Sequence, residues 1–90
     1  MSKIFRINPF LRMFTDGKQT VEVSGNTVGE CIDELEAKYP GVKEQVMDGD
    51  GNLLRYVGIY VNSESAYPNE LSKKVKDGDE ITIITFIGGG

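Results

Sequence analysis

Residues 75–90 read VKDGDEITIITFIGGG, and this C-terminal stretch decides the fold. It opens with a turn signal, Asp77-Gly78-Asp79, because glycine takes the backbone conformations that tight turns need. Residues 80–87 then form an apolar run with few polar interruptions, whereas a half-exposed strand alternates between apolar and polar positions. The pattern, apolar on both faces, predicts a central strand that passes directly into three glycines.

A helix is the clearest element upstream of this strand. Thr27 and Glu30 have the spacing of a capping box, in which two side chains satisfy the free N–H groups at a helix start. Pro40-Gly41 is a stop signal for the same helix. Apolar residues recur on one helical face at Val28, Cys31, Ile32, Leu35 and Tyr39. We expect that face to cover the sheet.

Three further segments, residues 4–8, 19–23 and 54–61, have strand patterns. The first stops at Pro9, which cannot donate to a strand ladder, and the second follows an Asp16-Gly17 turn. The order strand, strand, helix, strand, strand predicts an α+β roll. Its mixed sheet of about four to five strands would pack on one main helix.

The connecting segments have weaker patterns. We interpret residues 10–14 as a loop packed on the core and residues 42–47 as a short helical turn. Residues 63–69 read as a polar loop, and residues 70–76 as a turn that holds Leu71 and Val75.

The composition excludes several classes of function. With no histidine and one cysteine, the chain alone offers neither the common zinc-ligand sets nor a Ser-His or Cys-His nucleophile pair. A net charge of −4 argues against nucleic acid and fits a protein partner with a basic groove. No apolar stretch is long enough to span a membrane, and the N-terminus lacks a signal-peptide pattern. Together with the single cysteine, this predicts a soluble cytoplasmic protein.

The terminal glycines allow two interpretations. A glycine run is costly to order, so residues 88–90 could be a frayed end without function. Alternatively they are a thin, flexible arm that carries the terminal carboxylate into a narrow site on another protein, since glycine has no Cβ to clash with the walls. The residues alone leave both open.

The whole chain resembles the MoaD/ThiS group of sulfur carriers, which share the β-grasp fold with ubiquitin. The resemblance is carried by residues 4–12, 27–36, 59–62 and 75–81, the last running on into Gly-Gly. Residues 55–62, read after a longer insertion that begins at Gly41, are most similar to carriers of cysteine synthesis. Gly88 stands where the family usually has another small residue.

The resemblance implies a fold, a function and a working group. Residues 1–87 would form a ubiquitin-like β-grasp domain and residues 88–90 its flexible tail. The C-terminal glycine carboxylate, at Gly90 preceded by Gly89, would be adenylated and converted to a thiocarboxylate that donates sulfur. The chain would be a carrier, not an enzyme. It would bind no cofactor itself, because a separate ubiquitin-activating-like adenylyltransferase uses the ATP.

The resemblance also implies further partners and leaves alternatives. The sulfur acceptor would be a synthase of the cysteine-synthase type, making cysteine or homocysteine. Some relatives are trimmed by a metalloprotease, so either Gly90 is removed in this way or no trimming is needed. Carriers for molybdopterin or thiamin synthesis share the same pattern. So does a ubiquitin-like modifier conjugated to lysines, while a plain interaction module with an idle tail is the remaining alternative.

Partner docking is expected on the sheet face away from the helix. If Ile81 and Ile83 point inward, then Ile84 and Phe86 point outward near Gly88. Tyr60 and Tyr56 would lie beside them on the neighbouring strand. The alternative is that residues 10–14 cover this surface.

Three other features have plain structural interpretations. Cys31 lies at an inward helix position and should act as a small apolar residue instead of a persulfide site. The acidic residues Asp33, Glu34 and Glu36 fit a solvated helix face, with contact to a basic partner as the alternative. Residues 48–52, DGDGN, read as a solvated turn because no glutamate completes a calcium loop.

Overall fold

The computed structural model describes residues 3–85, while residues 1–2 and 86–90 lie outside the described part. One mixed sheet of five strands has the spatial order β2-β1-β5-β3-β4. The strands are β1 (Lys3–Arg6), β2 (Thr20–Val23), β3 (Val57–Val61), β4 (Glu64–Ser65) and β5 (Glu80–Thr85). The helix α1 spans Val28–Lys38, and two short 3₁₀ helices span Pro9–Phe14 and Lys43–Gln45.

The predicted position of β5 is confirmed. It runs parallel to β1, with Phe5 opposite Ile81, and antiparallel to β3, with Ile59 opposite Ile83. Burial alternates along β5, with Ile81 and Ile83 buried on the inner face and Thr82 and Ile84 half-buried on the outer face. The α+β roll, with a mixed sheet and one main helix, is therefore confirmed.

The core lies between α1 and the inner face of the sheet. Buried positions alternate along the strands, as Val57, Ile59 and Val61 show in β3. The largest fully buried apolar side chains are Phe5, Leu11, Ile32, Leu35, Ile59, Ile81 and Ile83. The helix supplies Val28, Cys31, Ile32 and Leu35 as predicted, while Tyr39 caps the helix end and is half-buried.

The start of α1 is fully hydrogen-bonded within the chain. Thr27 Oγ1 accepts from the Glu30 N–H at 3.1 Å, which confirms the predicted N-cap. The Glu30 carboxylate reaches the N–H of Asn26, one residue before the expected partner Thr27. The N–H groups of Val28 and Gly29 donate to backbone carbonyls of Lys73 and Leu71. The first turn of α1 is thus held by residues 70–75 and has no N–H group left for a ligand.

Two predicted boundaries were wrong, each for a local reason. The strand predicted over residues 54–61 begins at Val57, because residues 55–56 form a turn. The polar loop predicted over residues 63–69 contains β4, which pairs with β3 through a tight turn at Asn62 and Ser63. Both turn residues have positive φ, 52° and 72°, a conformation that no glycine at these positions signals in the sequence.

Side chains of α1 block the outer edge of β2. Lys38 Nζ donates to the Glu22 carbonyl at 2.7 Å, and the Glu34 carboxylate accepts from the Ser24 N–H at 3.0 Å. An exposed strand edge is a template for pairing with another chain, so these contacts protect the edge from strand addition.

Candidate functional site

The structure describes the root of the C-terminal tail but not the tail. Phe86, Gly88, Gly89 and Gly90, which the sequence predicts as site residues, lie outside residues 3–85. The last described residue of β5 is Thr85, which lies opposite Val57 at the start of β3. The tail therefore leaves the domain from the end of a central strand, where β3 begins and β1 has already ended at Arg6.

The outer face of the sheet at this end presents Ile84 and Tyr60. Both side chains are half-buried, whereas Ile81 and Ile83 are fully buried on the inner face. Ile84 is paired with Gly58, and Tyr60 with Thr82, so Ile84 and Tyr60 are diagonal neighbours on one face. The predicted outward direction of Ile84 is confirmed.

Tyr56 does not lie on the strand as predicted. It belongs to the turn before β3 and is 41% exposed. The alternation of tyrosines in the sequence extends one residue beyond the strand itself, which explains this error. Phe86 lies outside the described residues, so the expected contact of Tyr56 with Phe86 stays a prediction.

A groove of about 410 Å³ runs along the end of β5 on the β1 side. Its walls come from the Pro9–Phe14 helix and from residues 82–85 of β5. Arg6, Asn8, Phe10 and Arg12 contribute side chains to it. Sequence reasoning missed this groove, because it depends on where β1 stops and the 3₁₀ helix begins.

The Pro9–Phe14 helix borders this surface and does not cover it. Leu11 is fully buried and fixes the helix to the core. Asn8 caps the helix through its Oδ1, which accepts from the Leu11 N–H at 2.9 Å, and its Nδ2 donates to the Ile83 carbonyl at 3.0 Å. Phe10 and Met13 are 45% and 77% exposed. The expected packing on the core is thus confirmed for Leu11, which is buried, and for Phe14, which is half-buried against the core, while Ile84 stays accessible.

The opposite end of β5 is closed by a polar network. The Asp79 carboxylate accepts from the Lys76 N–H at 2.8 Å and from Asn62 Nδ2 at 2.9 Å. Asn62 Oδ1 accepts in turn from the Glu80 N–H at 2.9 Å. The hydrogen bonds to Lys76 and Asn62 hold the pKa of Asp79 below its usual value. Two stretches that carried the family resemblance therefore meet here in a structural contact.

Cys31 is fully buried, as predicted for an apolar position. Its Sγ contacts the Gly25 carbonyl at 3.5 Å. Burial raises the pKa of the thiol, which disfavours the thiolate that a sulfur-transfer nucleophile needs. A role in persulfide chemistry therefore has no support in the geometry.

The acidic residues of α1 are used within the chain. Asp33 pairs with Lys43, and Glu34 binds Ser24. The Glu36 carboxylate accepts from the N–H groups of Gly41 and Lys43, and these bonds lower the pKa of Glu36. The predicted solvated face is therefore also a set of caps for the neighbouring turns.

Residues 48–52 form a turn, as predicted, with Asp48 Oδ1 accepting from the N–H groups of Asp50 and Asn52. Across residues 3–85, no group of three or more His, Cys, Asp or Glu side chains could hold a metal ion. Within the same range, no helix has the length and apolar character needed to cross a membrane.

Comparisons with known proteins agree over the full length. The family model described as the ThiS family matches residues 5–90. The sulfur carrier protein CysO of Mycobacterium tuberculosis is 40% identical, with all of both chains covered. A chain in the crystal structure of the Amycolatopsis orientalis BexX/CysO complex superposes with a TM-score of 0.90 at 36% identity, covering 98% of this chain and 99% of that one. SAMP1 from Haloferax volcanii superposes with a TM-score of 0.85 at 27% identity, with both chains fully covered.

Proposed function

The chain belongs to the ThiS family and is a sulfur carrier, and on that premise we propose that the C-terminal carboxylate of Gly90 carries the sulfur. One observation carries the proposal: the similarity to known carriers includes residues 86–90, which follow the described part of β5. Ile81 and Ile83, both fully buried, anchor the strand from which these residues continue. A rigid strand followed by small residues is suited to placing a terminal carboxylate at a fixed reach.

The chemistry requires an activated carboxylate, because a bare carboxylate is a poor electrophile. A carboxylate oxygen of Gly90 attacks the α-phosphorus of ATP, and pyrophosphate leaves. A sulfur nucleophile then attacks the acyl carbon, and AMP leaves with the electron pair of the broken C–O bond. With sulfide the product is the thiocarboxylate directly; with a protein persulfide, a second thiol must reduce the S–S bond. The ionised thiocarboxylate is the sulfur donor.

The activating partner would be an ATP-dependent adenylyltransferase that docks on the outer sheet face. Ile84 and Tyr60 offer it a partly apolar surface beside the tail, and Phe86 would extend that surface by strand parity. Gly88 and Gly89 would pass through a narrow channel because they carry no Cβ. In this scheme the chain is a cosubstrate, and a separate enzyme performs catalysis in the cytoplasm.

The acceptor would be a synthase of the cysteine-synthase type, supported by the similarity to CysO proteins. Trimming by a metalloprotease remains part of the proposal for the case in which the working terminus is Gly89. The test is to load the chain with sulfur, purify it, and mix it with the organism's cysteine synthase and O-phosphoserine. The thiocarboxylate sulfur should bond to the β-carbon of the serine unit as phosphate leaves, which gives a carrier–cysteine thioester. After hydrolysis of the acyl–sulfur bond, we expect cysteine in proportion to the thiocarboxylate consumed. If no cysteine forms and the loaded chain instead supports synthesis of molybdopterin or of the thiamin thiazole, the acceptor is not a cysteine synthase.

A second candidate function is covalent protein modification. It is favoured by the similarity to SAMP1 of Haloferax volcanii, the small archaeal modifier protein 1. The same activated carboxylate can acylate a lysine amine instead of a sulfur nucleophile. Tagged chain expressed in its own cells would then give a series of larger bands that vanish when residues 89–90 are deleted. A single band of free carrier would support sulfur transfer alone.

A further inference from the structure

The groove beside the tail carries a local charge opposite to that of the whole chain. Its described lining contains two guanidinium groups, Arg6 and Arg12, and no carboxylate, whereas the chain carries a net charge of −4. The third arginine of the chain, Arg55, is exposed two residues before Val57, which lies opposite Thr85. Arg12 and Arg55 therefore lie toward the Thr85 end of the sheet, while Arg6 lies farther along β5, opposite Thr82.

The two groove arginines are held in place and keep free donors. Arg12 Nε donates to the Ile7 carbonyl at 3.0 Å, which fixes the guanidinium against the groove wall. Arg6 Nη1 donates to Glu80 Oε2 at 3.1 Å, and its side chain is 57% exposed. A guanidinium has five N–H donors in a planar fork, so one bond to Glu80 leaves most of them available.

The groove also has apolar lining residues and lies against a strand edge. Phe10 is 45% exposed on one wall, and Ile84 is half-buried on the other. The carbonyls of Asp79 and Ile83 point to the β1 side, where they accept from the Ile4 N–H and from Asn8. Thr85 has the same parity and directs its backbone groups to that side, beyond the end of β1. The groove can thus accept an extended peptide along the strand edge.

We propose that this groove receives an extended acidic segment of the activating enzyme, with an apolar side chain against Phe10 and a carboxylate on Arg6 and Arg12. The inference rests on the proposed function, since the tail must enter that enzyme from the same end of the sheet. A peptide fits better than a nucleotide, because apolar walls flank the two guanidiniums. The net charge alone predicts a basic partner surface; the local charge at the groove predicts an acidic one.

Binding of the cognate adenylyltransferase to charge variants tests the proposal. Arg6→Glu should raise the dissociation constant at least tenfold. Added salt should weaken binding of the wild-type chain more than binding of the variant. Lys74→Glu is the matched control, because it makes the same charge change at an exposed lysine that faces Thr27, away from the tail. Equal losses in both variants would mean long-range steering and would overturn the proposal.

A second variant tests the apolar wall without changing charge. Phe10→Ala should weaken binding severalfold, whereas Tyr67→Ala should not, although Tyr67 is 78% exposed. Thermal melts identify any loss of fold. Wild-type affinity in both Arg6→Glu and Phe10→Ala would overturn the proposal, as would Arg6-dependent binding of Mg-ATP by the carrier alone. Sulfur loading of the wild-type chain is measured in parallel, so that intact binding without loading contradicts only the proposed function.

Discussion

The two ends of β5 are built from different kinds of contact. At its start, Asp79 is buried and bound by Asn62 and Lys76, and Glu80 is bound by Asn62. At its end, Ile84 is half-buried beside an open groove, and exposed Phe10 stands across from it. One end satisfies its polar groups within the chain, while the other presents an open groove and partly apolar surface.

The two ends therefore differ in the role that we assign to them: the closed end stabilises the fold, and the tail end is proposed to take part in activation. The stretches most easily seen in the sequence, Asp77-Gly78-Asp79-Glu80 and Asn62, form the closed end and fix the position of β5. Within residues 3–85, the other end of β5 presents half-buried Ile84 and exposed Phe10 beside the groove, as a surface that exchanges partners would. Substitutions at the closed end should therefore act on stability, and those at the tail end on activation.

Deleting residues 89–90 should give the largest effect at the tail end. Sulfur loading by the activating enzyme should fall to background, because the acyl carbon no longer reaches ATP. The melting temperature should stay within experimental error of wild type, because the deletion lies beyond the described strand. Intact mass and thermal melts measure the two quantities. Loading that survives the deletion would break the assignment of function to this end.

Asp79→Ala should give the largest effect at the closed end. Two hydrogen bonds to a charged acceptor are lost and the Lys76 N–H loses its partner, so the free energy of unfolding should fall by about 2 kcal/mol. Urea unfolding measures it, with Asp50→Ala at an exposed turn as the control. Loading of the folded variant should match wild type, and a specific loading defect would show that the closed end also contacts the partner.

Ile84→Asp should weaken binding to the activating enzyme about tenfold, because a carboxylate would be desolvated at the interface. The variant should still fold, since Ile84 is half-buried on the outer face. Phe86→Asp should act in the same direction by strand parity. Titration and melts on the same samples separate the effects. An unfolded Ile84→Asp chain would mean that this end is structural as well.

Cys31→Ala tests whether the buried cysteine contributes to stability alone or also to sulfur loading. Removing the buried sulfur should cost about 1 kcal/mol of stability, as for a small core truncation. Sulfur loading should be unchanged, since burial raises the pKa of the thiol and disfavours the thiolate. A folded variant that accepts no sulfur would contradict this role.

Acid should lower the free energy of unfolding through the carboxylates of Asp79, at the closed end, and of Glu36. The pKa values of Asp79 and Glu36 are lowered in the folded chain, so their contribution is complete above the ordinary values of 3.8 and 4.5. It is lost as pH falls through the lower folded values. Urea unfolding between pH 7 and pH 3, about the range in which carboxylates titrate, should therefore show a smaller loss for Asp79→Asn than for wild type. Equal losses would assign the acid sensitivity to other groups.

The fold could be predicted from the sequence wherever a pattern is local. Thr27 with Glu30 gives the start of α1, and the apolar run of residues 80–87 gives the central strand. The β4 hairpin could not, because Asn62 and Ser63 adopt positive φ without glycine. The groove could not either, since Arg6, Phe10 and Ile84 meet only once the strand pairing is known. Alternation predicted the outward position of Ile84 correctly. It also placed Tyr56 on the strand, which is wrong because β3 begins one residue later, at Val57.

The most direct measurement is the intact mass of the full-length chain after incubation with its activating enzyme, ATP and a sulfur source. We predict a shift of one oxygen-to-sulfur exchange, located by fragmentation on the residue Gly90, and no shift when ATP is left out. The chain lacking residues 89–90 should show no change in the same reaction. A shift located on Cys31, or an unchanged full-length mass with an enzyme that adenylates other carriers, would contradict the assignment of the sulfur to Gly90.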